Sequence, residues 1–533
     1  MNRFRLRLLP AAAAVLLPCS LLPVLPAVGA AADDSTAART FTDETLTYEV
    51  IEGGVRITAA DSGLTKVIIP RDFSGYPILE IGEYAFSECG GLTSVEIQAN
   101  LNAIRTGAFS ECYALQTLTF STGTVSLIED GAFFDCEALT SFTLPDTVTE
   151  IGDYTFGYCF SLKEFTVPAS LSEIPGYAFY YDEALEHVTI EEGVQTISGM
   201  SFIGCSSLKE LTIPASVTSI APYAFVSCNA LERITVAEGN SSYVTDESGV
   251  LFDAAGTTLM LYPAAGAGGS YAVADGVTAI APYAFSGASL SEITVPDSVT
   301  ELGEGAFANC SDLTQFTMPS GITSIESTLF AETGLTSFTI PEGVTEIGDY
   351  AFYCCKSLTE ISIPDTVTKV GGVAFFGCTG IHGITVPDSV TEISDYAFGY
   401  QYETEDPESD VILLPDFVLR GSAKSAAKAY ASDNDISFKQ IGIDGNMIII
   451  AVIAVLAVLF VIVLIVSLVR RKQARTQTEE AAAAVPQPED MTDPNYKSIL
   501  DDDGDDPFER SDNSTPLSGA EREKLEAEAF PDD

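Results

Sequence analysis

The chain has 533 residues, of which 25 are basic and 76 acidic, giving a formal net charge of −51. That balance excludes nucleic acid as a partner, because phosphate binding needs clustered Lys and Arg, and it opposes docking on anionic lipid. Aromatic and aliphatic content is that of a folded chain, and no stretch has the ligand spacing of an EF-hand.

At the N-terminus, Arg3, Arg5 and Arg7 precede an apolar stretch from Leu8 to Val28 that ends in small residues. This order predicts a secretory signal peptide over residues 1–30, with cleavage near Ala30.

A phrase then repeats for most of the chain. Its anchor is a phenylalanine, usually preceded by alanine, recurring from Phe86 to Phe225 and from Phe285 to Phe398. Steps between anchors are 22 to 24 residues, with one step of 60. A fixed period in this range predicts a solenoid, here an array over 81–402. In the unit from Phe156 to Phe179, Phe165 and Val167 flank Thr166 in the in-out-in alternation of a short strand. Pro168 ends that strand, since it has no N–H for a ladder. Leu171 and Ile174 form a second apolar pair, and Phe179 turns inward. One such coil cannot bury its own apolar side, whereas stacked coils share a continuous core, about 60 Å long at the usual strand spacing.

Nine units carry cysteine three residues after the anchor: Cys89, Cys112, Cys136, Cys159, Cys205, Cys228, Cys310, Cys355 and Cys378. The other four place Asp182, Ala288, Thr333 and Gln401 there, and the units at Phe285 and Phe330 are also one residue shorter, with Leu290 and Leu335 arriving early. Three readings are open: buried thiols, a disulfide ladder, or metal ligands. The cysteines lack CxxC pairs and histidine partners, and stacked equivalent Cβ vectors run parallel. Both points favour small buried thiols.

The long step holds "YVTDESGVLFDAAGTTLMLYP", two alternating runs around Ala254-Ala255-Gly256-Thr257. It predicts an inserted β-hairpin at 240–270 lying across the stack, as a tolerated insertion or as a projecting recognition element. Met447 to Val469 carries no charge and is long enough to cross a bilayer. Arg470, Arg471, Lys472 and Arg475 follow and mark the cytoplasmic side. The acidic segment 470–533 reads as a disordered cytoplasmic tail.

"LKEFTVPASLSEIPGYAF" and "LTEISIPDTVTKVGGVAFFGC" resemble the BspA-like, treponemal-type class of leucine-rich repeats. The resemblance covers about Thr40 to Gly442. It implies a mostly β, elongated leucine-rich-repeat solenoid with short turns and helical pieces, here joined to one transmembrane α-helix. It further implies an N-terminal cap and first turn at 40–80, a C-terminal cap at 403–442 with a helix from about Ala423, and a surface location with an adhesion or binding role. It implies no catalytic residues and no cofactor.

The best candidate surface is the strand column. Thr119, Thr143, Thr166, Thr189, Thr212, Thr235, Thr294, Thr317, Thr339 and Thr385 occupy one outward position, joined by Ser362. Such a row suits an extracellular protein or glycan ligand. It also suits the plain fact that threonine is a good polar strand former. A second column holds Thr149, Thr218, Thr300, Thr345 and Thr391. His187 and His382 read as equivalent repeat positions near strand starts, outside any nucleophile or metal motif. The expected protein is a single-pass plasma-membrane protein with its N-terminal domain outside. The alternatives are a spacer without a ligand, or a receptor whose tail meets a cytoplasmic partner.

Overall fold

The computed structural model describes residues 40–404, 406, 409–441 and 445–483. The predicted signal peptide lies outside the described residues. The chain divides into two compact units, with the boundary before Gly445.

The first unit is a β-solenoid built on two columns of short parallel strands. One column carries the threonine position. It includes the four-stranded parallel sheet of Glu164–Val167, His187–Ile190, Glu210–Ile213 and Arg233–Val236. The other column uses pairs such as Glu173–Ile174 and Thr196–Ile197, in register from coil to coil. Apolar residues of both columns point inward and polar ones outward, which is the period-two pattern read in the sequence.

The anchor phenylalanines lie between the columns and are fully buried or nearly so. Their rings stack along the coils, at 5.6 Å between Phe133 and Phe156 and 5.2 Å between Phe375 and Phe398. The turn around each phenylalanine anchor from Phe86 to Phe375 needs a left-handed residue two positions before it and another two positions after it. Tyr154 and Tyr158 flank Phe156 in this way, with φ of 55° and 62°. Glycine fills the role at Gly107, Gly131 and Gly305, but tyrosine fills it more often.

The insertion departs from expectation. The sequence predicts a hairpin lying across the stack, but the structure folds it into the stack. Leu251–Asp253 and Thr258–Leu261 do pair antiparallel around the expected turn. The second of these strands then pairs parallel with Ala279–Ile280 and so becomes a coil of the second column. Tyr262 takes the anchor position. Its ring stacks on Phe285 at 5.2 Å, and its N–H donates to the Ala284 carbonyl, as the Phe285 N–H does to the Ala306 carbonyl of the next coil. The step of 60 is thus an irregular step to Tyr262 followed by a regular one to Phe285. The physical reason is burial: Leu251, Phe252 and Leu259 are apolar enough to belong in the core. The core clusters also part here, one ending at Leu251 and the other starting at Val250.

Both ends of the stack are covered. Before the first anchor, Leu46–Ile51 and Gly54–Ala60 form an antiparallel pair whose second strand starts the second column. After the last anchor, Val418–Gly421 and Ser437–Gln440 extend the threonine column around the helix α1, Ala426–Asp433. α1 starts a turn later than Ala423 because Ser425 is its N-cap, accepting from the Lys428 N–H. Tyr430 of α1 closes the ring column edge-on to Phe398.

The second unit contains the helix α2, Gly445–Ala483. Its segment Val452–Gln473 is long and apolar enough to cross a membrane. The expected disordered tail from 470 is corrected at its start: α2 continues to Ala483, through a run rich in the good helix formers Arg, Lys, Gln, Glu and Ala. The remainder of the tail lies outside the described residues.

Candidate functional site

Strand alternation turns every second side chain of the threonine column to solvent, and all ten candidate threonines are exposed. Eight sit in strands. Thr143 and Thr317 do not, which interrupts the expected continuous row. Around them only the single bridges Thr117↔Ser141 and Glu292↔Gln315 form, so backbone pairing does not carry a full strand there.

Pairing brings four of the ten together. Thr166 is in register with Thr189, and Thr212 with Thr235, all within the four-stranded sheet. The Thr212 and Thr235 hydroxyls are hydrogen-bonded to each other at 3.0 Å. The other eight candidate hydroxyls make no side-chain hydrogen bond among the described residues. The second column differs. There Thr149, Thr218, Thr345 and Thr391 donate to backbone carbonyls one coil earlier, at 3.3–3.5 Å. These hydroxyls serve the stack, whereas eight of the ten in the first column remain available to a ligand.

A row of acidic, basic and histidine side chains beside the four threonines was not singled out in the sequence. Glu164, His187, Glu210 and Arg233 lie directly opposite one another on successive strands, two residues before the threonines and on the same face. One residue further back, Lys209 bonds Glu186 at 2.5 Å and holds its carboxyl below the ordinary value. The signal was present, as equal offsets from each anchor. However, His187 and His382 are not equivalent as read. His187 stands in the register position of Gly383's strand start, and His382 lies one residue earlier, outside the strand Gly383–Thr385.

The cysteines contribute no site on this face. All ten described thiols are free, and nine are buried. No group of metal-binding residues occurs among the described residues.

The repeat signature decides the family. A BspA type leucine rich repeat region, in six copies, matches residues 60–186, 172–248 and 278–405. The chain belongs to the BspA type leucine-rich repeat family. It is similar to a leucine rich cell surface protein from Faecalibacterium prausnitzii, at 32% identity, with a TM-score of 0.61, over 68% of this chain and 96% of that one. The pneumococcal vaccine antigen PcpA shares the fold at 20% identity and a TM-score of 0.52, over 76% of this chain and 99% of that one. No curated protein matches.

Proposed function

We propose that this BspA type protein is a single-pass surface protein that binds an extracellular protein or glycan through its threonine column. The observation that carries this reading is the outward row of hydroxyls, eight of the ten without a side-chain hydrogen bond among the described residues, flanked at 164–235 by Glu164, His187, Glu210 and Arg233. A regular row of donors and acceptors at strand spacing suits a partner that is itself extended. The similar Faecalibacterium protein is described as a cell surface protein. The signal-like N-terminus, the apolar segment of α2 and the Arg470–Arg471–Lys472 cluster support an exterior repeat domain and a cytoplasmic tail. Binding is favoured over catalysis, because the family's repeats supply a surface rather than a reacting centre.

The test uses cells displaying the full chain. Protease added outside removes the repeat domain and spares an epitope at the C-terminus if the topology is right. The same cells are probed with extracellular-matrix proteins and glycans. Saturable capture supports the reading. Correct topology with no capture favours a spacer, and capture of a cytoplasmic protein by the tail alone favours a receptor.

A further inference from the structure

The unit anchored by Phe330 is one residue short. Leu335 follows it by five residues, whereas Leu313 and Leu358 follow their anchors by six. The shortened turn draws back against the preceding coil. A side chain at Gly334 would meet the Ser311 carbonyl oxygen at 2.2 Å, so only glycine fits there. The full-length turns at Lys356 and Thr379 overhang the gap on the following coils. The hairpin of Tyr400–Tyr402 with Val411–Leu413 walls its far side. The result is a solvent-open cleft of about 600 Å³, within the ~300–1,000 Å³ range of small-ligand sites.

The lining is chemically mixed. Two half-buried rings, Tyr353 and Tyr402, are braced against Phe376, one stacked at 5.8 Å and one edge-on at 4.8 Å. Gln401 supplies a carboxamide and Ser311 a hydroxyl, while the buried Thr333 hydroxyl is taken up by the Phe330 carbonyl at 2.9 Å. Glu332 and Lys356 both line the cleft and lie close enough to interact electrostatically. Burial pushes the Glu332 carboxyl up to about 7 despite the lysine. The lining thus mixes both signs, with Lys356 among Glu332 and the exposed Glu403.

We propose that this cleft is a binding site for a neutral saccharide. A sugar offers an apolar C–H face to a tyrosine ring and many hydroxyls to the amide, carboxyl and ammonium groups around it. An anion or a cation would call for lining groups of one sign. A peptide anchor would call for a dry apolar pocket, which this cleft is not. None of the ten threonines lines it, so it is separate from the strand face.

The test screens the full chain in lipid nanodiscs on an array of neutral mono- and oligosaccharides, then titrates any sugar that binds. Thr379→Trp, at an exposed lining position, fills the cleft without touching the core. Gln401→Ala and Glu332→Gln remove polar contacts. The expected result is saturable binding abolished by Thr379→Trp and weakened at least tenfold by each of the other two, with melting temperatures unchanged. Thr166→Lys with Thr212→Lys on the strand face leaves it unaltered. The proposal is overturned if no neutral sugar binds, if binding survives Thr379→Trp, or if the strand-face variants abolish it instead.

Discussion

The Cys112 thiol donates to the backbone carbonyl of Phe86, the anchor one coil earlier, at 3.1 Å. The same bond recurs from Cys136 to Phe109, Cys205 to Phe179, Cys310 to Phe285 and Cys378 to Phe352. Each anchor carbonyl also accepts its own unit's cysteine N–H, as Phe109 does from Cys112 at 3.3 Å. The cysteine therefore staples one coil to the next with a weak donor in a dry core. Burial pushes the Cys112 thiol up to about 12, so the thiolate needed for disulfide exchange or metal binding is scarce at neutral pH.

This account predicts an order among substitutions. Cys136→Ala loses packing and one weak bond, costing about 1–2 kcal/mol. Cys136→Ser costs at least as much, since the shorter C–O bond holds a strongly polar hydroxyl back from the carbonyl. Denaturant unfolding of the two variants checks this, and a neutral serine variant contradicts it. A thiol reagent on the native protein should leave the nine buried cysteines unmodified until unfolding.

Asp182 occupies the cysteine position of its unit. It is fully buried, its Oδ1 accepts the Cys159 N–H at 2.8 Å, and its Oδ2 has no partner among the described residues. Burial raises its carboxyl well above the ordinary 3.8. The folded state thus holds a proton that the unfolded state releases. Stability from this site is complete below the ordinary value and is lost as pH rises towards the folded one. Asp182→Cys, which restores the repeat, is predicted to stabilise the protein at pH 7 and to lose that advantage near pH 4. Melting temperatures of both proteins across that range decide it.

At the N-terminal end, Arg105 bridges Glu80 at 2.5 Å and Glu129 at 2.6 Å, and Arg56 reaches Glu80 from the other side at 2.6 Å. Desolvation raises the Glu80 carboxyl, but the two arginines outweigh it and the net shift is downward. Its stabilisation is present above the ordinary 4.5 and fades as pH falls through the lower folded value. Arg105→Ala is predicted to cost about 1–3 kcal/mol at neutral pH, with a smaller loss on acidification than in the natural protein. Urea midpoints at pH 7 and pH 3.5 measure both effects.

Val373 holds φ of 59° two residues before Phe375, where a β-branched side chain is strained. Val373→Gly is predicted to raise stability by up to about 1 kcal/mol. Calorimetry on the variant checks the sign.

Much of this architecture was legible because the same burial problem recurs in every coil. Phenylalanine, the inward strand pair and the small cysteine each return at a fixed offset, and the structure gives each the expected environment. The Tyr262 coil escaped notice because tyrosine replaces phenylalanine without the alanine before it. The tyrosines of the left-handed positions carried no signal, since that backbone state favours glycine and asparagine in general. The one-residue deletion before Leu335 was visible. Its consequence was not, because the cleft needs Gly334 to meet Ser311 and the Tyr400–Tyr402 hairpin to close the side, and both are contacts between distant residues.

The strand face carries the central claim, and one isotherm tests it most directly. Thr166, Thr189, Thr212 and Thr235 are all changed to glutamate in the full chain, and binding of the captured extracellular ligand is titrated beside the natural protein. The account predicts at least a tenfold loss of affinity with an unchanged melting temperature. Equal affinity in the two proteins would contradict it.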